Sequence, residues 1–318
     1  MQRLQTILRT FYEIHCIELS PLQGGWAALA YKVVDHNSRY FLKVYEKSRA
    51  STAKWTAHID DYVAILLWLK EQTALRHNIP VPIVTKDGAY QCEDEEGIYL
   101  LYEFIEGETI GERNLTQAQA IQLSEILAQL HKYTASDLVN ADKLQEDFDV
   151  AFLQSLQDIL HLHAYSLPDD IKTIIRPMSE QLDRMIEQTT MLSNALKNEK
   201  RKMSLCHMDI HHWNLMQTDQ HLILIDWEGL KLAPVEADFM SLINKPYYMD
   251  FLQVYQSVHK DFSIHPDALQ FYQYRRKLED IWEFTEQLLY DHQSEKEREA
   301  TLRALGNELD ELPSMLEK

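Results

Sequence analysis

Hydrophobic positions alternate in the first third of the chain and recur at helical spacing through most of the rest. Tyr31-Lys-Val-Val34 and Arg39-Tyr-Phe-Leu-Lys-Val-Tyr45 flank the turn residues Asp35-His-Asn-Ser38, which predicts a β-hairpin. Ahead of it, Leu4, Ile7, Leu8 and Phe11 are spaced as one face of an amphipathic helix. Ala57 to Gln72 has helical periodicity, Gly97 to Ile105 reads as a strand, and Glu106-Gly107-Glu108 breaks the pattern. Thr116 is placed as the N-cap of a helix reaching Tyr133, with Ile121, Leu123, Ile126, Leu127 and Leu130 on its apolar side. Further helices are expected over 145–163, 168–198, 247–260, 266–292 and 295–317. One island interrupts them, a short β segment with a loop from Leu205 to Asp226. This order predicts an α+β fold with two segregated lobes, a small β-rich one over 1–105 and a larger helical one over 106–318, with a cleft between them. At 318 residues the chain is also longer than one core usually serves.

Composition narrows the function classes. The longest near-continuous apolar run, Tyr62 to Leu69, is too short to cross a bilayer, and the N-terminal segment lacks the apolar core of a signal peptide. A cytoplasmic protein without membrane contact is expected. Three scattered cysteines (Cys16, Cys92, Cys206), in no paired spacing, argue against a disulfide framework or a cysteine zinc site. Fifty acids against 31 bases leave a net charge of −19, which disfavours nucleic-acid binding. The same acidity suits a cationic substrate and also simple solubility.

The island carries the most chemistry. It reads Leu205-Cys-His-Met-Asp-Ile-His-His-Trp-Asn-Leu-Met216, then Leu222-Ile-Leu-Ile-Asp-Trp-Glu228. If 215–217 and 222–226 pair around Thr218-Asp-Gln-His221, Asn214 faces Ile225 and Trp213 faces Asp226. Opposed residues sit roughly 5 Å apart, so Asn214 and Asp226 meet, with Asp209 on the loop before them. A carboxylate ending an apolar run is costly unless paired or bound to metal. Carboxylate, amide carbonyl and phosphate oxygens make an environment that suits Mg²⁺. Phosphoryl transfer needs such an ion and a nearby carboxylate to orient the attacking hydroxyl, a role open to Asp209.

His207-x-Asp209-x-His211-x-x-Asn214 followed by Ile-Asp226 resembles the catalytic loop of the aminoglycoside phosphotransferase family, and its wording is closest to the spectinomycin-modifying branch. That family shares the protein-kinase fold and includes choline, methylthioribose and homoserine kinases. Leu232-Ala-Pro-Val-Glu-Ala-Asp-Phe239 and Leu123-Ser-Glu-Ile-Leu-Ala-Gln-Leu-His131 resemble two further family segments. The resemblance implies Asp209 as the catalytic carboxylate, Asn214 and Asp226 as magnesium ligands, and His207 and Asp238 as braces of the loop. His212 and Trp213 depart from the Pro-Gly common in the family.

No GxxxxGK[ST] or GxGxxG is present. Gly24 and Gly25 instead occupy a strand-to-strand turn where backbone N–H groups can approach phosphate. Lys43 shares a strand face with Phe41 and Tyr45 and resembles the lysine that meets the nucleotide phosphates and a helix acid. Asp60 is the first choice for that acid and Asp61 the second. Leu100 to Gly107 resembles the interlobe hinge near 102–107, with backbone groups at Glu103 and Ile105 meeting the purine of ATP or GTP. Glu228 is a candidate to touch a second metal or the substrate, or else a solvated turn residue. On one late helix Glu279, Asp280, Trp282 and Glu283 are acceptor candidates, where acids can hold ammonium groups and Trp282 can stack.

The leading expectation is a magnesium-dependent small-molecule kinase, monomeric or homodimeric, acting on a hydroxyl of an aminoglycoside-like or aminocyclitol-like cation. Alternatives are a choline, methylthioribose or homoserine kinase of the same fold, a non-catalytic structural relative, or a metallo-hydrolase using His207, Asp209, His211 and His212. The choice of acceptor is not written in the fold.

Overall fold

The structure is a computed structural model that describes residues 1–22, 24–138, 141–161 and 166–316. The chain opens with α1 (Gln2–Tyr12), strands β1 (Glu18–Leu22), β2 (Leu29–Val34) and β3 (Arg39–Glu46), and helices α2 (Thr52–Thr56) and α3 (Ile59–Gln72). Strands β4 (Cys92–Glu93), β5 (Gly97–Glu103) and β6 (Glu108–Thr109) lead to α4 (Gln117–Leu130), α5 (Phe152–His161), α6 (Asp169–Ile175) and α7 (Ser179–Lys197). Then come β7 (Ser204–Cys206), β8 (Leu215–Gln217), β9 (Leu222–Leu224) and β10 (Lys231–Ala233). The chain ends with α8 (Glu236–Phe239), α9 (Tyr248–Val258), α10 (Pro266–Tyr290), α11 (Glu295–Asp310) and α12 (Leu312–Leu316).

These elements form two compact units, one comprising Met1–Ser48, Thr52–Gln145 and Met203–Ser263, the other Arg49–Ser51, Glu146–Lys202 and Ile264–Lys318. The first holds an antiparallel sheet in the order β1-β2-β3-β5-β4, with the expected hairpin closing at Val34 opposite Arg39. Strand alternation sorts its side chains. Val33, Leu42, Val44, Tyr99 and Leu101 pack with Leu4, Ile7 and Leu8 of α1, so Phe41, Lys43 and Tyr45 point to the opposite face.

Helix α4 starts where its cap signals place it. The Thr116 hydroxyl accepts the Gln119 N–H at 3.3 Å, and Gln119 Oε1 accepts the Thr116 N–H at 3.0 Å. Against α4 lies α9, joined to it by the Ser124 hydroxyl donating to the Phe251 carbonyl at 2.7 Å.

The second unit is helical. Its core gathers Leu156 of α5, Ile171 of α6, Leu182 and Met185 of α7, Leu278 and Ile281 of α10, and Leu305 and Leu309 of α11.

Several helices differ in extent from their expected spans. The segment 57–72 winds only from Ile59, where the buried stripe Ile59, Tyr62, Val63, Leu66 and Leu69 begins. The helix expected from 145 starts at Phe152, because Glu146, Asp147 and Asp149 side chains accept the N–H groups of Phe148, Asp149 and Ala151. Such local bonds compete with helical ones. The span 168–198 is broken by a 3₁₀ turn at Arg176–Met178, where Pro177 has no N–H to give. The last span divides at Glu311. Residues 162–163 and 317, the expected ends of two helices, lie outside the described residues. Among the described residues no helix is long and apolar enough to cross a membrane.

Thr116→Ala removes one half of a reciprocal cap and should lower stability by about 1 kcal/mol. Chemical denaturation should show the loss with an unchanged circular dichroism spectrum. An unaltered midpoint would mean that α4 is held by packing alone.

Candidate active site

The island folds into the anticipated hairpin in the anticipated register. Leu215 pairs with Leu224, Met216 with Ile223 and Gln217 with Leu222, and the Ile225 N–H extends the ladder to the Asn214 carbonyl at 3.0 Å. The ladder stops there. His212–Asn214 forms a 3₁₀ turn, so Trp213 does not stand opposite Asp226 as a strand partner. The bulky residues in this turn have places of their own. His212 Nε2 bonds the Tyr247 hydroxyl at 2.7 Å, and the exposed Trp213 ring covers Gly111, where an added Cβ would lie 3.3 Å away.

Asn214 connects the hairpin to the loop. Its Nδ2 donates to the Asp209 carbonyl at 3.0 Å and to Asp209 Oδ2 at 2.9 Å. Both amide protons thereby point at Asp209, and Asn214 Oδ1 keeps no partner among the described residues. The other oxygen, Asp209 Oδ1, lies 3.4 Å from His211 Nε2, while the buried His211 Nδ1 has no partner among the described residues.

Asp238 holds the loop from behind, from a fully buried position on α8. Its Oδ2 accepts the His207 N–H at 2.9 Å and lies 3.0 Å from His131 Nε2, and its Oδ1 accepts the Met208 N–H at 2.7 Å. His131 Nδ1 in turn meets the Tyr255 hydroxyl at 2.8 Å. His207 closes the arrangement. Its Nε2 donates to the Ile225 carbonyl at 2.9 Å, and its Nδ1 accepts the Asp209 N–H at 3.2 Å. Burial lowers the pKa of this ring against the pull of Asp238 and Asp209, and the Nε2–H tautomer satisfies both contacts. His131 and Tyr255 thus extend the bracing beyond His207 and Asp238, and His131 is the histidine that ends the Leu-x-x-Leu-His pattern.

The bracing permits strain. Met208 and Asp226 adopt positive φ, 72° and 63°. Each such residue costs of order 1–3 kcal/mol and persists only where its surroundings dictate it.

Lys43 approaches Asp226 from β3. Its Nζ lies 3.0 Å from Asp226 Oδ1 and 2.6 Å from Glu228 Oε1. Burial opposes its charge, but the carboxylates of Asp226 and Glu228 outweigh burial and hold the ammonium well above the usual lysine range. The helix acid expected for Lys43 is not Asp60 or Asp61. Asp60 is exposed, and Asp61 bonds Lys143 at 3.0 Å and His58 at 3.3 Å. Helix α3 spends its inward face on apolar side chains and Tyr62, so its acids face away. Glu228, expected near the acceptor, takes the place beside Lys43 instead.

At the nucleotide side, Gly24 is required by its neighbours, since an added Cβ would lie 2.9 Å from the Ala28 carbonyl oxygen. Around Gly25 there is open space. Glu103 ends β5 opposite Tyr40, the Phe104 N–H is taken by the Arg39 carbonyl at 3.1 Å, and the Ile105 backbone groups have no partner among the described residues. On α10, Glu279 pairs with Arg275 and Asp280 with Arg276, each at 3.0 Å, and Trp282 packs on the helical core. Burial, with Glu308 and Glu283 nearby, pushes Asp280 up to about 6 against the pull of Arg276.

Two metal readings can be tested on these contacts. Asn214 Oδ1 and Asp226 Oδ2 are hard oxygens without a partner among the described residues, a donor type that fits Mg²⁺. The hydrolase reading fails, because His207 Nε2 is given to Ile225 and His212 Nε2 to Tyr247. His131, Cys206 and Asp238 do lie together, yet both ring nitrogens of His131 and both carboxylate oxygens of Asp238 are already hydrogen-bonded.

A β-sheet lysine, a His-x-Asp loop and a following Asn and Asp define a small-molecule kinase with a protein-kinase-like fold. The sequence profile of the phosphotransferase enzyme family (APH) matches residues 18–272, and the chain belongs to that family. No curated protein sequence matches the chain. Among solved structures, spectinomycin phosphotransferase APH(9)-Ia, in complex with ADP and spectinomycin, superposes with a TM-score of 0.74 at 20% identity, over 100% of this chain and 98% of that one. The microcompartment-associated aminopropanol kinase gives 0.66 at 14% identity, covering 100% and 98%. Choline kinase LicA from Streptococcus pneumoniae gives 0.63 at 16% identity, covering 98% of each chain. At these identities the structures establish a shared fold.

Asp238→Ala should cost about 2–4 kcal/mol, since it orphans two buried loop N–H groups and the His131 partner. Hydrogen exchange should accelerate at the His207 and Met208 amides before the rest of the unit. Undiminished protection there would show that Asp238 does not hold the loop.

Proposed function

We propose that this family member transfers the γ-phosphoryl group of ATP or GTP to a hydroxyl of a small cationic substrate, of the aminoglycoside or aminocyclitol kind, in the cytoplasm. The observation that carries the reading is the Asp209–Asn214 contact at 2.9 Å, in the same unit as the Lys43–Asp226 pair at 3.0 Å. Asp209 presents Oδ1 to the incoming hydroxyl, orients it and takes its proton as the oxygen attacks. Asn214 holds Oδ2 and so fixes the direction of that attack. Lys43 offers positive charge to the phosphate oxygens. Asn214 Oδ1 and Asp226 Oδ2 are the residues that would hold Mg²⁺, which supplies charge neutralisation when bound. Gly25 and the Ile105 backbone are the proposed contacts to phosphate and purine.

The net charge of −19 favours a cationic acceptor. Choline, methylthioribose and homoserine kinase activities are the second reading. A structural, non-catalytic role is disfavoured because Lys43, Asp209, Asn214 and Asp226 are all present.

Asp209→Ala should lower turnover about 10²–10⁴-fold while ATP binding, followed by calorimetry, survives. The assay is magnesium-dependent nucleotide consumption across aminoglycosides, spectinomycin, macrolides, choline and methylthioribose. Full activity in the variant would remove Asp209 from the chemistry, and a flat panel with the wild type would remove the kinase reading.

A further inference from the structure

Lys43 lacks the partner that its strand position calls for. Helix α3 turns Ile59, Tyr62, Val63 and Leu66 inward and carries its acids elsewhere. The ammonium instead rests on Asp226 and Glu228, and these two differ. Asp226 is the proposed metal ligand, with a side chain 41% exposed, whereas that of Glu228 is 7% exposed. The Glu228 oxygen nearest Lys43 also accepts the Tyr45 hydroxyl at 2.5 Å. Lys43 and Tyr45 stand two residues apart on β3 and therefore share a face, so both grip one carboxylate oxygen.

The segment bearing Glu228 is anchored on either side of it. Trp227 Nε1 donates to the Leu224 carbonyl at 2.7 Å, and the Leu230 N–H returns to the Trp227 carbonyl at 3.0 Å. Behind Glu228, a Cβ on Gly229 would lie 3.1 Å from the His207 carbonyl oxygen, so the turn lies close against the catalytic loop. A carboxylate held this way has little freedom to follow a ligand. It suits fixing the lysine.

We propose that Glu228 is the positioning residue for Lys43, supplying from the turn after Asp226 the carboxylate expected from α3, with Tyr45 fixing its orientation. The inference rests on the proposed kinase function and deepens it. Its competitor is a direct metal-ligand role for Glu228, and the two predict different dependence on magnesium. A positioning residue acts on the triphosphate through Lys43 whether or not metal is bound.

The test measures ATP and adenosine binding by calorimetry for wild type, Glu228→Gln, Tyr45→Phe, Lys43→Met and the Lys43→Met/Glu228→Gln double variant, each with magnesium and with EDTA. Thermal melting checks that every variant folds. Glu228→Gln should weaken ATP binding about tenfold or more in both conditions, the scale of a lost charged hydrogen bond. Adenosine binding, which needs no phosphate contact, should stay at wild-type strength. Tyr45→Phe should shift ATP binding the same way by a smaller factor. In the Lys43→Met background the Glu228 change should add less than about twofold, the signature of coupled residues. A loss confined to magnesium would assign Glu228 to the metal, and an equal loss of adenosine would make its role structural; either overturns the proposal. Wild-type ATP binding with an unaffected Glu228→Gln sinks this inference alone, whereas a wild type blind to ATP sinks the kinase reading with it.

Discussion

A buried carboxylate with all its bonds made is the constraint on which the site depends. Asp238 has no solvent to turn to, so its two oxygens must be satisfied by the protein. They are satisfied by His207 N–H, Met208 N–H and His131, groups from a loop and from α4. Leaving a buried charge unpaired costs several kcal/mol, so the fold is strongly biased towards the one loop path that brings those donors together. That path drives Met208 into the left-handed region and delivers Asp209 to Asn214. Strain at the loop is thus sustained by bonds made behind it.

The second electrostatic knot lies at Lys43. An ammonium inside a protein is tolerable only beside acids, and Asp226 and Glu228 provide two. The knot joins β3 to the turn after β9, so the strand that carries the lysine and the hairpin that carries Asp226 are held by charge as well as by packing. Asn214 Oδ1 and Asp226 Oδ2 take part in neither knot and have no partner among the described residues.

Much of this was legible in residue order. Short-range pattern set the β2–β3 hairpin, the Thr116 cap and the pairing of Leu215 with Leu224, because turn chemistry and side-chain alternation act over a few residues. The same spacing set Asn214 opposite Ile225, whose N–H meets the Asn214 carbonyl, whereas the bond from Asn214 to Asp209 came with the path of the loop. What failed was the facing of α3 towards Lys43, although Lys43 does reach Asp226 and Asp238 does reach the loop. Asp60 and Glu228 illustrate it. Asp60 lies on α3 and Glu228 in the turn after Asp226, and whether Asp60 turns inward depends on which face of α3 the core requires. That face is taken by Ile59, Tyr62, Val63 and Leu66. The helices expected from periodicity alone also lost residues wherever side chains competed for backbone N–H groups, as at Glu146 to Asp149.

The amino-acid order by itself determined the fold class, the family and the identity of the residues that carry charge and oxygen at the site, since these are written in local pattern and residue type. Only the tertiary structure decided which carboxylate holds Lys43, that His131 and Tyr255 stand behind Asp238, and that two acids of α10 are already matched by arginines. The reason is physical. Charges choose partners by distance and burial, and both are properties of packed elements rather than of neighbours along a chain.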